Sequence, residues 1–275
     1  MKMLRLLPLA LAAATLSVPS GAEQSAPMTE ALQSAVSQAE LRGQLLYAYD
    51  QAAWHGTDDF REKWPAELQR TGGWVVTGTI QQTSLVFFDR DPTAPKAVYR
   101  ARFAGSRLLS SALATGDEAA LTADEKAMVA ARSKSIGAFQ AAEVRLCNEG
   151  PPNFAVLPPE RPNGPHIVYV MTPQTRTDAL PLGGHYSVEI FPDGRAGPVR
   201  KYANSCIDTE MPPAGSDAKP VGFGVTHLLD PTPTEIHVFT SISLKMPLYV
   251  STSNGILWVV EGHQVRKLEQ SVKPS

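Results

Sequence analysis

The sequence predicts an α+β protein in two lobes: helices with a small antiparallel sheet first, then a β-rich lobe. Three observations carry this. Apolar residues recur at helical spacing from Thr29 onward, short Val- and aromatic-rich runs alternate with turn residues after Gly72, and six prolines between Pro151 and Pro165 separate the two textures.

In the first helix Leu32, Ala35, Val36, Ala39, Leu46, Tyr49 and Ala53 share a face, and Thr29 is placed to cap its start. Gly72-Gly73 breaks the chain, and Trp74–Ile80, Ser84–Phe88 and Lys96–Phe103 read as three strands. In the third, Tyr99, Ala101 and Phe103 alternate with Arg100 and Arg102, so one face is expected inside and the other in water. Thr122-Ala123-Asp124-Glu125 has the form of a capping box opening a second helix, for which Gly137 is the expected stop.

Proline removes backbone donors, so residues 150–165 read as an extended connector, with residues 23–149 as the first lobe and 166–275 as the second. His166–Met171, His185–Phe191 and Val199–Ala203 are candidate strands, with Pro192-Asp193-Gly194-Arg195 as a hairpin turn between the last two. Val221–Leu229 is a further strand, followed by a proline turn and a helix through Ser241. A meander over Leu248–Thr252, Ile256–Val260 and Gln264–Leu268 closes the chain.

Ahead of this fold, Lys2 and Arg5 precede the apolar stretch Leu6–Val18 and the small residues Ser20-Gly21-Ala22. That is the three-part form of a signal peptide over residues 1–22, and the stretch is too short to span a bilayer. Its removal takes away two bases and no acid and leaves a net charge of −4, so the expected product is periplasmic or secreted, without an integral membrane segment. An acidic balance also argues against nucleic acid as a partner. In an oxidising compartment Cys147 and Cys206, the only two cysteines, are expected to pair; the competing reading makes Cys206 a thiol nucleophile.

Phosphate-cradling glycine loops, dinucleotide fingerprints, zincin helices and nucleophile elbows are missing from the sequence. Ser216 and Lys219 have the serine-lysine spacing of penicillin-recognising enzymes but lie in a Gly/Pro-rich loop without companion motifs. His227 and His237 flank the proline turn, where ligands for zinc could gather, with Asp230, Glu235 or His185 as a third and Glu235 or Glu189 as a base.

The runs Gly222-Phe223-Gly224-Val225-Thr226-His227, Pro233-Thr234-Glu235-Ile236-His237, Pro247-Leu248-Tyr249-Val250 and Asn254-Gly255-Ile256-Leu257-Trp258 resemble the core of JAB/MPN-type metalloprotease domains. With Leu182-Gly183-Gly184-His185 matched to an upstream Gly-Gly strand, the resemblance covers roughly the last 95 residues. It places His227 at the second histidine of the family's His-x-His pair. Val225 stands at the first, Thr234 at the serine, His237 at the aspartate ligand and Pro181 at the catalytic glutamate. The resemblance therefore implies a degenerate JAB/MPN-like core without most of its metal ligands. The whole chain, through Tyr49-Asp50-Gln51-Ala52-Ala53-Trp54-His55 and the segment Thr226–His237, also resembles a group of exported bacterial proteins of unknown function. The expected function is a non-catalytic binding or structural module without a cofactor. The alternative is a zinc-dependent hydrolase of a peptide or amide bond, with His227 and His237 as ligands.

Overall fold

A computed structural model describes residues 28–211 and 220–268; the expected signal peptide and the Ser216–Lys219 segment lie outside them. Helix α1 (Glu30–Lys63) is the spine of the molecule, and the Thr29 hydroxyl accepts the Leu32 N–H at its start. The single turn α2 (Pro65–Leu68) leads into an antiparallel sheet of β1 (Thr71–Gly78), β2 (Gln82–Asp89), β3 (Ala97–Ala104) and β4 (Arg107–Leu113), in that order. Alternation in β3 falls as expected: Tyr99, Ala101 and Phe103 are buried, and Phe60 of α1 stacks on Tyr99 with ring centroids 4.3 Å apart. β4 is a strand the sequence reading does not anticipate. It is the exposed edge of the sheet, so Arg107, Leu109 and Ser110 need no apolar alternation.

Helix α3 (Ala123–Ala141) opens with the expected capping box: Thr122 Oγ1 accepts the Glu125 N–H at 3.2 Å and Glu125 Oε2 accepts the Thr122 N–H at 2.8 Å. Arg100 adds a fork to the same carboxylate, donating at 2.6 and 3.0 Å, and so ties the helix start to β3. Gly137 does not end the helix, correcting the sequence expectation. A glycine in helical conformation costs about 1 kcal/mol, less than is gained by carrying Phe139 into the core two residues later.

Within the proline-rich segment, Asn153–Leu157 forms β5, an edge strand, the place where flanking prolines are tolerated. It pairs with β6 (His166–Met171), which continues to β8 (Tyr186–Ile190) and β9 (Arg200–Lys201), all antiparallel; β7 (Ala179–Pro181) and β10 (Asp208–Glu210) form a separate ribbon. The apolar core runs without a break from α1 and the first sheet through α3 into β5, β6 and β8.

The last unit is a sheet of β11 (Phe223–His227), β12 (Leu248–Thr252), β13 (Leu257–Glu261) and β14 (Gln264–Lys267), with α4 (Glu235–Leu244) crossing between its first two strands. That crossover makes β11 and β12 parallel, whereas the remaining pairs are antiparallel hairpins. Val36 of α1 and Val238 of α4 join this sheet's own apolar cluster around Trp258. α1 reaches α4 so closely because Gly43 faces it: a Cβ there would lie 2.4 Å from that of Val238.

Candidate functional site

The sequence brings His227 and His237 together by ending β11 at one and starting α4 near the other, and their rings meet edge to face at 4.8 Å. Both are buried and both are engaged. His227 Nε2 lies 2.9 Å from Asp230 Oδ2, and Asp230 Oδ1 accepts from Arg200 Nη2 at 3.0 Å. Burial raises the pKa of Asp230, but His227 and Arg200 outweigh it and hold the carboxyl below its ordinary value. His237 Nδ1 accepts the Thr234 N–H at 3.0 Å, as a glutamate does in a capping box. Desolvation, with His227 beside it, pushes His237 down to about 3.

The other residues named from sequence are held by other partners. Glu235 turns into the interior, where its Oε1 accepts from Tyr169 at 2.7 Å and from Tyr202 at 2.5 Å; Tyr202 also shares a bond with Ser187. His185 accepts the Thr172 N–H at Nδ1, so its Nε2 carries the proton and donates to Pro181 O at 2.9 Å. Burial pushes His185 down to about 4. Glu189 is exposed on β8, Val225 is half-buried on β11, and Pro181 sits in β7. Among the described residues no three His, Cys, Asp or Glu side chains converge so as to hold a metal ion. Cys147 and Cys206 are joined, with Cα atoms 5.4 Å apart.

Two buried neutral histidines make stability depend on pH. An unfolded histidine binds a proton near pH 6.5, whereas His185 and His237 resist it when folded, so stability is complete above about 6.5 and falls as the pH drops toward 4. Each is expected to remove on the order of 1–2 kcal/mol by pH 5. Urea unfolding at pH 7.5, 6 and 5 checks this, and equal stabilities across that range would contradict it.

A different place has the form of a binding site. α1 presents Tyr47, Asp50, Gln51 and Trp54 at spacing i, i+3, i+4, i+7, which aligns them along one helix face. Opposite them stand Asn153 at the start of β5, Thr172 and Gln174 beyond β6, Leu180, Pro181 and His185, and Phe239, Ser243 and Lys245 of α4 and its cap. Between these walls lies a cleft of about 320 Å³. Its floor is buried, through Met171, Thr172, Leu180, His185 and Phe239, and its rim carries Trp54, 56% exposed and stacked on His55. The disulfide supports this floor, since the Cys147 N–H donates to Thr172 Oγ1 at 3.0 Å.

Asp50 is the unusual member. Asn153 Nδ2 donates to its Oδ1 at 2.7 Å, and among the described residues no lysine, arginine or histidine forms an ion pair with it. Burial dominates over its hydrogen bonds to Asn153 and Gln51 and pushes the carboxyl above its ordinary range. Paired metal ligands and nucleophile motifs, the usual sequence marks of a site, are not what forms this one. The signal was the polar and aromatic stripe 47, 50, 51, 54, which runs beside the apolar one on the same helix.

Comparison with protein-family models, with curated proteins and with solved structures finds no match to this chain.

Proposed function

We propose that the chain is an exported, non-catalytic binding protein, periplasmic or secreted, whose ligand occupies the cleft between α1 and the β6–β7–α4 wall. The observation that carries this is the cleft itself: a concave site with a buried floor, a few convergent polar groups and one desolvated carboxylate that makes no ion pair among the described residues. Export is supported by the form of residues 1–22, by the Cys147–Cys206 disulfide, and by the lack, among the described residues, of any helix long and apolar enough to cross a membrane.

The JAB/MPN-like reading of the last sheet and α4 stands beside this as a proposal about scaffold alone. Its zinc site does not fit the residues present: Val225 and Pro181 offer no side-chain donor, and Asp230 and Thr234 already engage one ring nitrogen of each histidine. Two histidines leave a zinc ion with two positions to fill.

Thermal-shift measurements on the mature protein with a set of amino acids, dipeptides, hexoses, dicarboxylates and zinc test the choice. A small organic molecule is expected to raise the melting temperature, with the shift lost in Trp54→Ala. Stoichiometric zinc retained through dialysis and lost in His227→Ala, with no organic ligand bound, would overturn the binding reading in favour of the hydrolase.

A further inference from the structure

We propose that the cleft receives a primary ammonium group with Asp50 as its counter-ion, and that its ligand is a small zwitterion, an amino acid or short peptide whose carboxylate turns toward Lys245. This rests on the cleft being a binding site and names what it binds.

A half-buried carboxylate whose hydrogen bonds come from amides, and which makes no ion pair among the described residues although His55 is near enough to favour its charge, is costly to keep ionised, and a cation placed beside it would offset that cost. The surroundings select the kind of cation. A divalent metal ion needs several oxygen ligands, and no acidic cluster surrounds Asp50 among the described residues. A guanidinium pairs best with both oxygens of a carboxylate, but Asn153 already occupies Oδ1. An ammonium, a compact charge that needs a single oxygen lone pair, fits beside the amides of Asn153 and Gln51. Tyr47 and Trp54 lie one turn to either side of Asp50 on the same helix face, and aromatic faces are favourable neighbours for such a charge.

A second charge in the lining distinguishes a zwitterion from a diamine. Lys245 caps α4 in the left-handed conformation (φ 55°), is exposed, lines the cleft, and has no ion pair among the described residues. Its ammonium would repel a second cation and attract a carboxylate. Neither His185 nor Thr172 competes for the ligand's charges, because His185 is held neutral and both are bonded to the chain around them. A volume of about 320 Å³ lies at the small end for ligand sites, which suits a single amino acid or dipeptide.

Isothermal titration calorimetry of the full mature chain with L-alanine, L-alanyl-L-alanine, N-acetyl-L-alanine, 1,4-diaminobutane and glucose tests the proposal. L-Alanine or the dipeptide is expected to bind saturably, with N-acetyl-L-alanine and 1,4-diaminobutane at least tenfold weaker. Asp50→Asn keeps an oxygen for Asn153 and removes the uncompensated charge, so it is expected to melt no lower than the unsubstituted protein while losing at least 30-fold in affinity. Lys245→Ala is expected to lose three- to tenfold for the zwitterion. Unchanged affinity in Asp50→Asn, equal binding of N-acetyl-L-alanine, or tighter binding of the diamine would overturn the assignment. Saturable glucose binding without amine binding would overturn it too, while leaving the cleft a binding site. A silent titration with all five probes overturns this assignment, and a silent thermal-shift screen would then count against the cleft as well.

Discussion

Glu235→Ala is expected to destabilise the protein by about 3–5 kcal/mol, because one buried carboxyl holds together groups from four parts of the fold. Tyr169 of β6 and Tyr202 just beyond β9 both donate to its Oε1, and Arg42 of α1 and Arg200 of β9 lie near enough for its charge to favour their cationic forms. Removing it strands the Tyr169 hydroxyl, whose only hydrogen bond among the described residues is to Glu235, and leaves a cavity at the start of α4. Tyr202 keeps its bond with Ser187 and loses less. Glu235→Gln retains an acceptor for both tyrosines, so about 1–2 kcal/mol is expected. Urea unfolding at pH 7.5 checks the pair; equal losses in the two variants would show that loss of the charge, and neither the cavity nor the tyrosine bonds, sets the cost.

Loss of the disulfide is the second large effect. Cys147 and Cys206 close a loop of 59 residues, and restoring that freedom to the unfolded chain costs about 4 kcal/mol on the chain-entropy view. The Cys147→Ala/Cys206→Ala variant is therefore expected to fold in vitro with a much lower urea midpoint. Because the Cys147 backbone donates to Thr172 in the cleft floor, its ligand affinity is expected to fall as well. A double variant as stable as the disulfide-bonded protein would contradict this.

The parts of the fold that were legible in sequence are those where local chemistry and tertiary packing agree. Thr29 and Thr122 cap helices in isolation and do so here, and Tyr99, Ala101 and Phe103 alternate because one face of β3 meets α1. Elements decided by distant partners were not legible. Gly137 looks like a stop until Phe139 finds the core, β4 exists because β3 offers it an edge, and β5 is a strand because β6 pairs with it between prolines. The disulfide could be expected from cysteine count and export alone. The cleft could not, since Asp50, Asn153 and Lys245 are far apart in the chain, and the run Tyr49–His55, which holds Asp50, carries no activity with its resemblance. His227 and His237 illustrate the converse: residues whose spacing around a turn invited a metal site are engaged by Asp230 and Thr234.

Location of the ligand is the most direct test of the account. Amide-detected NMR titration of the mature protein with L-alanyl-L-alanine is expected to perturb the signals of Tyr47, Asp50, Gln51, Trp54, Asn153, Thr172, Gln174, Ser243 and Lys245, which line the cleft, and to leave His227 through Thr234 unmoved. Perturbations centred on His227 and His237, with the α1 face unchanged, would contradict it.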